Sequence, residues 1–460
     1  MRTLGLSRSL FILVGAVVAA CSATPGTVPF GQGGSSQSAG TGNSGSGSTS
    51  TGAGNASGNG AGGGLSFDAG NGSGSGTTGA GAGSPCVVTN MNADMDGDGW
   101  TPAQGDCNDC DPNVNPGAID VPPTMSADGG IGPEVDSDCD GKFDPPVPCD
   151  TGLALDDVNG ADGAKAIELC QTTVTNPATP KQRTWGVLSS EYVRADGTAY
   201  ANPGLQVGIQ SGWGPNVHVQ GGANMLVISS GHSRTTSQPG ACGSQSCSDE
   251  GPGTAPPNFP QDNPACPPSL DINDDIGLQV DLRAPTNATG YSFKFKFYSM
   301  EYPYYVCDSY NDQFIALVNP APTGSVNGNI SFDSKHNAVS VNLGFFNVCD
   351  PTQISQYAAD CGFNIGSTCP TPPSPYCPSG TAELQGTGFD VWDKDSGGAG
   401  ATSWLTSQAP IKGGSIFSIR FAMWDTGDDQ FDSTTLIDDF QWIATGGTVS
   451  VTTTPVNQPQ

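Results

Sequence analysis

The stretch Tyr291-Ser-Phe-Lys-Phe-Lys-Phe297 alternates strictly between aromatic and polar side chains. Because successive side chains of a β-strand point to opposite faces, this alternation predicts a strand with the aromatic rings on one face. Ser292, Lys294 and Lys296 would then lie on the other face, toward water. This stretch is the clearest signal in the sequence for a half-buried antiparallel strand.

Similar strand signals recur on both sides of this stretch. We predict further strands at residues 225–229, 278–282, 313–318, 339–343, 416–423 and 436–443. One helical pattern, at residues 161–171, accompanies them. Many short strands separated by turn residues predict a mainly β protein, with a large antiparallel β-sandwich or jelly-roll over residues 151–446. Residues 447–460 would form a C-terminal tail.

The segment before this domain, residues 86–150, is rich in aspartate, glycine and cysteine and poor in aliphatic residues. It cannot form a core alone, so disulfides or metal must stabilise it. Its first loop reads Asp94-Met-Asp96-Gly-Asp98-Gly99. Carboxylates at alternate positions let one loop surround a hard cation, and the carbonyl of Trp100 would complete the ligands. Because Gly105 occupies the position of the EF-hand glutamate, we predict a calcium loop of another kind.

The same pattern returns in a second loop, Asp136-Ser-Asp138-Cys-Asp140-Gly141, which is followed by Asp144. Asp106 and Asp109 lie between the two loops. Several carboxylates crowded together without a cation would repel one another, so calcium is the predicted cofactor. The predicted metal ligands of this segment are Asp94, Asp96, Asp98, Trp100, Asp106, Asp109, Asp136, Asp138, Asp140 and Asp144.

Three other interpretations of these acidic loops stay open. The aspartates could form solvated turns without any ion. Copper could bind through Trp100 or the thiols, although oxygen ligands favour calcium. Cys107-Asn-Asp-Cys110 also fits a redox C-x-x-C motif, but the strand and helix expected around such a motif are not evident in the sequence.

The acidic segment resembles a metal-binding motif of myxobacterial and related bacterial surface proteins, including copper-associated surface proteins of methanotrophs. The residues that carry the resemblance are Asp94-Met-Asp96-Gly-Asp98-Gly99, Asp106-Cys107-Asn108-Asp109, Asn115-Pro116-Gly117-Ala118 and Asp136-Ser-Asp138-Cys-Asp140-Gly141. That family usually carries a further cysteine before its last acidic loop, where this chain has Gly132-Pro133-Glu134. Cys110 is the candidate to replace it as a disulfide partner.

The first twenty residues are typical of a bacterial export signal. Two arginines precede an apolar run at residues 10–20, which is too short to span a membrane. The run ends in Val18-Ala-Ala-Cys21, which resembles the lipobox of bacterial lipoproteins, and this resemblance implies lipidation of Cys21. An ordinary signal peptide is the alternative. Ser22 in place of an aspartate favours the outer membrane or cell surface, with the lipid as the only membrane attachment.

Residues 21–85 follow as the lipidated cysteine and a segment dominated by glycine, serine, threonine and alanine. Such a composition buries too little apolar surface to offset the entropy of ordering, so we predict a disordered tether. As a flexible coil it would span roughly 45 Å.

Charge and cysteine content narrow the class of protein further. A formal net charge of −29 disfavours nucleic acid and anionic lipid headgroups as partners and favours cations. Of the 15 cysteines, those other than Cys21 are even in number, which predicts up to seven disulfides in an oxidising, exported environment.

The second half of the chain resembles the choice-of-anchor L domain, a bacterial surface module, with fainter likeness from about residue 155. The resemblance rests on the segments at 297–303, 307–314, 400–406, 424–433 and 437–440. It implies an exported, β-rich extracellular domain for which no reaction is established. We therefore expect a surface protein with a structural, adhesive or binding role, whose glycan or protein ligand the sequence does not identify.

Acidic residues within this domain suggest a further calcium site. The candidates are Glu301, Asp312, Asp425, Asp428, Asp432 and Asp438. The competing interpretation is that they cap turns by accepting hydrogen bonds from backbone amides. A polysaccharide hydrolase that uses Glu301 with an aspartate of 425–438 is one alternative function, and metal scavenging is another. We find none of the common hydrolase motifs in the sequence, so we do not expect an enzyme.

Overall fold

The computed structural model describes residues 87–122, 134–143, 148–247, 250–264, 266–342, 345–352, 377–390, 399–444 and 447–456. The predicted signal peptide, Cys21, the tether up to residue 85 and Asp144 lie outside these described residues. None of the helices in the described ranges is long and apolar enough to cross a membrane.

The described chain is mainly β, with every pair of neighbouring strands antiparallel, as predicted. The strands are β1 Gly186–Val193, β2 Val207–Gln210, β3 Gly212–Trp213, β4 Val217–His218, β5 Met225–Ser229, β6 Ile272–Arg283, β7 Gly290–Ser299, β8 Gln313–Asn319, β9 Val339–Ser340, β10 Phe346–Cys349, β11 Gly400–Thr402, β12 Leu405–Pro410, β13 Ile416–Thr426, β14 Ser433–Ile443 and β15 Thr452–Pro455. The α-helix α1 is Gly160–Lys165, and 3₁₀ turns occur at Pro102–Gln104, Pro180–Gln182, Gly204–Gln206 and Ala382–Leu384.

These strands form two main sheets. One sheet has five strands in the order β1-β6-β13-β8-β9. The other has eight: six follow the order β10-β11-β7-β14-β5-β2, while β12 pairs with both β7 and β15. The short strands β3 and β4 pair with each other.

The main core lies between the two sheets, which pack face to face as a β-sandwich. The aromatic side chains of β7 point into it, and Phe293 packs edge-on against Phe421 of β13 with ring centroids 4.9 Å apart. Phe295 meets Phe314 of β8 at 5.1 Å. These rings are buried, so the alternation in residues 291–297 predicted the inward face of this strand correctly.

The opposite face of β7 differs from the prediction, because it is covered. Lys296 is 0% exposed, and its ammonium group donates to the Glu383 carboxylate and the Thr402 carbonyl. A second apolar cluster, which includes Trp213, Tyr298 and Phe389, packs on this outer side of the eight-stranded sheet. The prediction of a water-facing Lys296 is therefore wrong, because chain segments far away in the sequence form a third layer over it.

Several elements are shorter or longer than the sequence predicted. The strand expected at 339–343 is only Val339–Ser340, and the helix expected at 161–171 ends at Lys165. Its start is defined by Asn159, whose side chain accepts a hydrogen bond from the Ala161 amide at 3.0 Å. Beyond residue 446, Thr452–Pro455 forms β15 against β12 and so contributes to the eight-stranded sheet.

Disulfides crosslink several parts of the chain, which agrees with an oxidising environment. The described bonds are Cys107–Cys139, Cys149–Cys170, Cys242–Cys247, Cys266–Cys307 and Cys349–Cys377. Cys110 is also disulfide-bonded.

The acidic segment, described at residues 87–122 and 134–143 and called the neck below, packs on the turn between β6 and β7. The Thr286 hydroxyl donates to Asn115 Oδ1 at 2.7 Å, and its amide donates to the Gly117 carbonyl at 2.9 Å. Asn287 exchanges two hydrogen bonds with the backbone of Ile119. Trp100 is 0% exposed within the neck. The neck is thus attached to the sandwich by hydrogen bonds to Thr286 and Asn287.

Candidate metal sites

The first neck loop folds around its own backbone amides. Asp94 accepts from the amides of Gly97 at 2.6 Å and Gly99 at 2.9 Å, one on each carboxylate oxygen. Asp98 Oδ1 accepts from the Trp100 amide at 2.7 Å. Gly97 and Gly99 both adopt positive φ, which glycine tolerates best, and this allows the tight turn. The three alternating aspartates therefore lie on one tight loop.

Two aspartates from the following segment join this loop. Oxygens of Asp96, Asp98 and Asp106 lie within 4.8 Å of one another, and so do those of Asp94, Asp96 and Asp109. Among the described residues, one oxygen each of Asp96, Asp98 and Asp106 is buried without a hydrogen-bond donor. Asp106 is only 5% exposed. This is an oxygen-lined centre of the kind that Ca²⁺ occupies.

Burial and mutual repulsion shift the ionisation of these carboxylates. Burial, offset in part by the Asn108 amide, raises the pKa of Asp106 to about 6, and the neighbouring Asp98 and Asp96 add to the increase. Burial is also the largest cause that raises the pKa of Asp96 and of Asp98. A divalent cation among them would reverse this effect, because it stabilises the charged form.

The second loop also folds around its own backbone amides and brings three aspartates together. Asp136 accepts from the amides of Asp140 at 3.2 Å and Gly141 at 2.9 Å. Oxygens of Asp120, Asp136 and Asp138 lie within 4.8 Å of one another. Burial raises the pKa of Asp138 to about 6. Asp140 instead accepts from the Lys142 amide, and it is exposed. The sequence did not mark Asp120, which precedes the loop in the chain and meets it only through folding.

The disulfide Cys107–Cys139 connects the two loops. Because Cys110 is disulfide-bonded as well, Cys107, Cys110 and Cys139 do not provide thiolate ligands. Trp100 lies beneath the first loop, with the Arg183 guanidinium 4.6 Å above its ring. Arg183 also donates to the Gly99 carbonyl at 2.6 Å, so this cation binds backbone rather than the aspartates of the centre.

The acids predicted within the sandwich divide into two groups. Asp312 directly precedes β8, Asp425 lies near the end of β13, and Asp432 directly precedes β14. The structure brings these strand ends together with Glu301, and we call Glu301, Asp312, Asp425 and Asp432 the strand-end cluster. The exposed fractions of these side chains are 2%, 0%, 1% and 6%.

Asp312 is held by defined hydrogen bonds. It accepts from the Thr426 amide at 2.9 Å and from the Ser433 hydroxyl at 2.7 Å. Burial, offset by these bonds, raises its pKa to about 7. Burial and then the Asp312 carboxylate raise the pKa of Asp432 to about 8. An ideal Cβ on Gly231 would lie 1.7 Å from Asp432 Oδ2, so only glycine permits this close approach.

Asp425 is the unexplained member of the strand-end cluster. Within the described chain, neither of its oxygens has a donor at hydrogen-bonding distance, although the nearby Ser230 hydroxyl partly lowers its pKa. Burial and then Asp312 raise that pKa well above the usual range. The same two causes, in the same order, raise the pKa of Glu301 well above its usual range. A buried carboxylate without donors is expensive unless a proton or a cation neutralises it.

Two predicted members lie outside this cluster. Asp428 is partly exposed, and its Oδ1 accepts from the Gln430 amide at 3.1 Å. Asp438 lies further along β14 and accepts from the Gln220 amide at 2.5 Å. It belongs to a separate group with Asp150 and Glu168, neither of which the sequence indicated. Asp274 is likewise 0% exposed, and it contributes to the raised pKa of Asp425 and Asp432.

Residues 222–440 match the family model of the choice-of-anchor L domain. The matched residues include the whole strand-end cluster and Asp438 but not the neck. The match supports a surface-associated, β-rich protein and does not point to an enzyme. No curated protein and no solved structure gives a significant match to the chain.

Proposed function

We propose that this protein is a lipid-anchored cell-surface module, made rigid by calcium, whose β-sandwich serves a structural, adhesive or binding role. Lipidation of Cys21 would hold it on the outer membrane, facing outward. The observation that carries the calcium part is the first neck loop, where Asp96, Asp98 and Asp106 direct oxygens to one centre within 4.8 Å. The proposed location is supported by the match to the choice-of-anchor L domain, which is a surface-associated domain.

The donor set favours calcium over copper. Carboxylate oxygens are hard ligands that suit Ca²⁺, whereas copper prefers thiolate, thioether or imidazole donors. Cys107, Cys110 and Cys139 are consumed by disulfides. Metal scavenging through thiols is therefore less well supported than a stabilising role for calcium.

The strand-end cluster supports a second calcium site inside the sandwich. Its acids lie at the ends of strands from both sheets, so one cation there would hold together the loops at that end of the domain. The main support is Asp425, which is 1% exposed and has no hydrogen-bond donor among the described residues. The same burial argues against a hydrolase, because a substrate could not reach Glu301 or Asp425.

The neck site is tested with the mature protein purified without chelator. The double variant Asp98→Asn/Asp106→Asn removes two charges from the centre, and Glu134→Gln is a matched control because Glu134 is exposed in the same segment. We expect bound calcium to protect the neck from limited proteolysis in the wild type and the control, but not in the double variant. Equal protection with chelator and with calcium in the wild type would refute the neck site.

A further inference from the structure

An open cleft lies beside the short hairpin that β3 and β4 form. Its other walls are the end of β2, the loop at residues 235–238 and the chain at Gly386. The cleft, which we call the hairpin cleft, has a volume of about 500 Å³, and small-molecule sites typically measure about 300–1,000 Å³. The polar side chains that line it include Gln210, Ser211, His218, Thr236, Ser237 and Gln238.

Hydrogen bonds hold the walls of the hairpin cleft together. At the tip of the hairpin, Asn216 Nδ2 donates to the Ala382 carbonyl at 2.7 Å. The amide and the hydroxyl of Thr236 both donate to the Gly386 carbonyl, at 3.3 Å and 3.1 Å. Trp213 of β3 is 1% exposed and belongs to the apolar cluster on the outer side of the eight-stranded sheet. The cleft is therefore formed before any ligand arrives, which is usual for binding sites.

Two glutamine side chains in the cleft are hydrogen-bonded to each other. Gln210 Nε2 donates to Gln238 Oε1 at 3.0 Å, and Gln238 Nε2 donates to Gln210 Oε1 at 2.7 Å. The Thr235 amide also donates to Gln238 Oε1, at 2.8 Å. A side-chain amide carries two N–H donors. Among the described residues, the second N–H of Gln238 has no acceptor, so a ligand can use it without breaking the pair.

Other polar groups of the cleft are also available to a ligand. Ser211, Ser237 and His218 are exposed, and within the described chain their side chains have no hydrogen-bond partner. Pro215, at the tip of the hairpin, is exposed as well and adds an apolar ring face beside the His218 imidazole. Hydroxyl and amide groups can both donate and accept hydrogen bonds. They therefore match a ligand whose own groups do both, as sugar hydroxyls do.

The cleft lacks ionised side chains, although the chain is strongly acidic. None of the residues that line it is aspartate, glutamate, lysine or arginine, whereas the formal net charge of the chain is −29. No fixed charge in the lining would pair with a charged ligand. The field of the whole protein would in addition repel a polyanion. Both observations favour a neutral, hydroxyl-rich ligand.

A peptide is less well matched to this place. Peptides commonly bind by adding a strand to an exposed sheet edge. The edge of β2 is covered, because the Ile209 amide donates to the Leu155 carbonyl at 3.1 Å and the Val207 carbonyl accepts from Arg234 Nη1 at 2.8 Å. The strands β3 and β4 have two residues each and pair with each other. No strand beside the cleft offers a peptide a long free edge.

We propose that the hairpin cleft binds a neutral oligosaccharide. Sugar hydroxyls would pair with the Ser211 and Ser237 hydroxyls and with the free N–H of Gln238, and the C–H face of a sugar ring would lie against Pro215 or His218. The proposal rests on the binding role in the proposed function, to which it gives a ligand class. It depends on neither the lipid anchor nor the calcium sites.

The test is binding of the mature protein to an array of neutral malto-, cello-, manno-, xylo- and chito-oligosaccharides, with oligogalacturonides as acidic counterparts. We expect binding to at least one neutral oligosaccharide, in calcium or in chelator. Ser237→Trp places an indole in the cleft and should weaken this binding by more than about tenfold, and Gln238→Ala, which removes a donor, by about tenfold. Ser334→Trp and Gln171→Ala are matched controls at exposed positions outside the cleft and should bind as the wild type does.

Each other outcome overturns the proposal. It fails if no neutral oligosaccharide binds, if oligogalacturonides bind more tightly, or if both cleft variants bind as well as the wild type. A peptide from a peptide array that the wild type binds and Ser237→Trp does not bind would identify the cleft as a peptide site instead. A crystal structure of the wild type with the best-bound oligosaccharide does not depend on variant folding: sugar density in the cleft supports the proposal, and density only elsewhere refutes it.

These outcomes are separate from those that test the proposed function. Proteolysis of the neck and membrane retention through Cys21 are measured without any sugar. If they fail while a neutral oligosaccharide binds in the cleft, the calcium and lipid parts are wrong and the cleft stands. If they succeed and no oligosaccharide binds, only the cleft proposal is refuted.

Discussion

Replacement of Asp425 by asparagine should affect stability in opposite directions with and without calcium. Without a cation, Asp425 is 1% exposed, and burial followed by the Asp312 carboxylate raises its pKa well above the usual range, so the folded state disfavours its charged form. The unfolded chain would ionise the same group near its ordinary pKa of about 4. An uncompensated buried charge typically costs the folded state about 3–5 kcal/mol.

Asparagine removes this cost, because an amide does not ionise in either state. The buried amide of asparagine would be poorly hydrogen-bonded, which destabilises the folded state by about 1–3 kcal/mol. We therefore expect the metal-free Asp425→Asn variant to be more stable than the wild type by about 2 kcal/mol, because an unpaired amide costs less than an uncompensated charge. For a domain of this size that corresponds to a rise in melting temperature on the order of 5 °C. With calcium bound, we expect the variant to be less stable than the wild type, because it lacks the Asp425 carboxylate as a calcium ligand.

The assay is thermal unfolding followed by circular dichroism, at about pH 7.5, with either chelator or calcium. Asp271→Asn serves as the control, because Asp271 is exposed just before β6 and should behave as the wild type in both conditions. A variant that is less stable than the wild type in chelator would contradict the argument that Asp425 is an uncompensated buried carboxylate. Equal gains from calcium in both proteins would refute Asp425 as a ligand.

Three further outcomes are expected. The metal-free protein should lose stability as pH rises from about 5 to about 8. The pKa is raised to about 7 for Asp312 and to about 8 for Asp432, so in this range the folded state holds protons that the unfolded state has released. Melting temperatures measured in chelator across this pH range check this, and a flat profile would contradict it. In urea unfolding, Lys296→Ala should lower the free energy of unfolding by about 3 kcal/mol and Lys296→Met by clearly less. Methionine fills the apolar volume around this side chain, which is 0% exposed. Equal losses in the two variants would show that the ion pair matters rather than packing. Cys21→Ser should move the protein from the membrane fraction to the soluble fraction after export, as seen by fractionation and immunoblotting, and unchanged membrane retention would rule out the lipid anchor.

Local sequence patterns predicted the strands whose burial is set by their own side chains. The alternation of residues 291–297 identified the inward face of β7, because Phe293 and Phe295 need only one apolar layer beneath them. It could not identify the burial of Lys296, because the covering residues lie near 213 and 389 in the chain. Short strands such as β2 and β12 were missed, since their sequences show no clear alternation.

Local sequence patterns were limited in the same way in predicting which acidic residues lie together. In the neck, Asp94, Asp96 and Asp98 belong to one loop, so their spacing alone indicated a candidate metal site, which stays a prediction, while the structure places Asp94 and Asp98 in two overlapping groups that share Asp96. Asp438 was noticed in the sequence but assigned to the wrong neighbours, because strand pairing places it beside Glu168. Asp150 and Glu168 have no pattern of their own. The signal that could have found them is their position beside Cys149 and Cys170, which form a disulfide.

The attachment of the neck to the turn between β6 and β7 has a mechanical consequence. Any pull that reaches the protein through the chain before residue 87 enters at the neck. The neck is crosslinked by Cys107–Cys139 and anchored laterally at Thr286 and Asn287, so tension would meet a covalent bridge before it could peel a strand. The disulfide Cys149–Cys170 then passes the remaining force to the segment beside α1 rather than to a sheet edge. Such a route would let the sandwich keep its shape under tension applied from its N-terminal side.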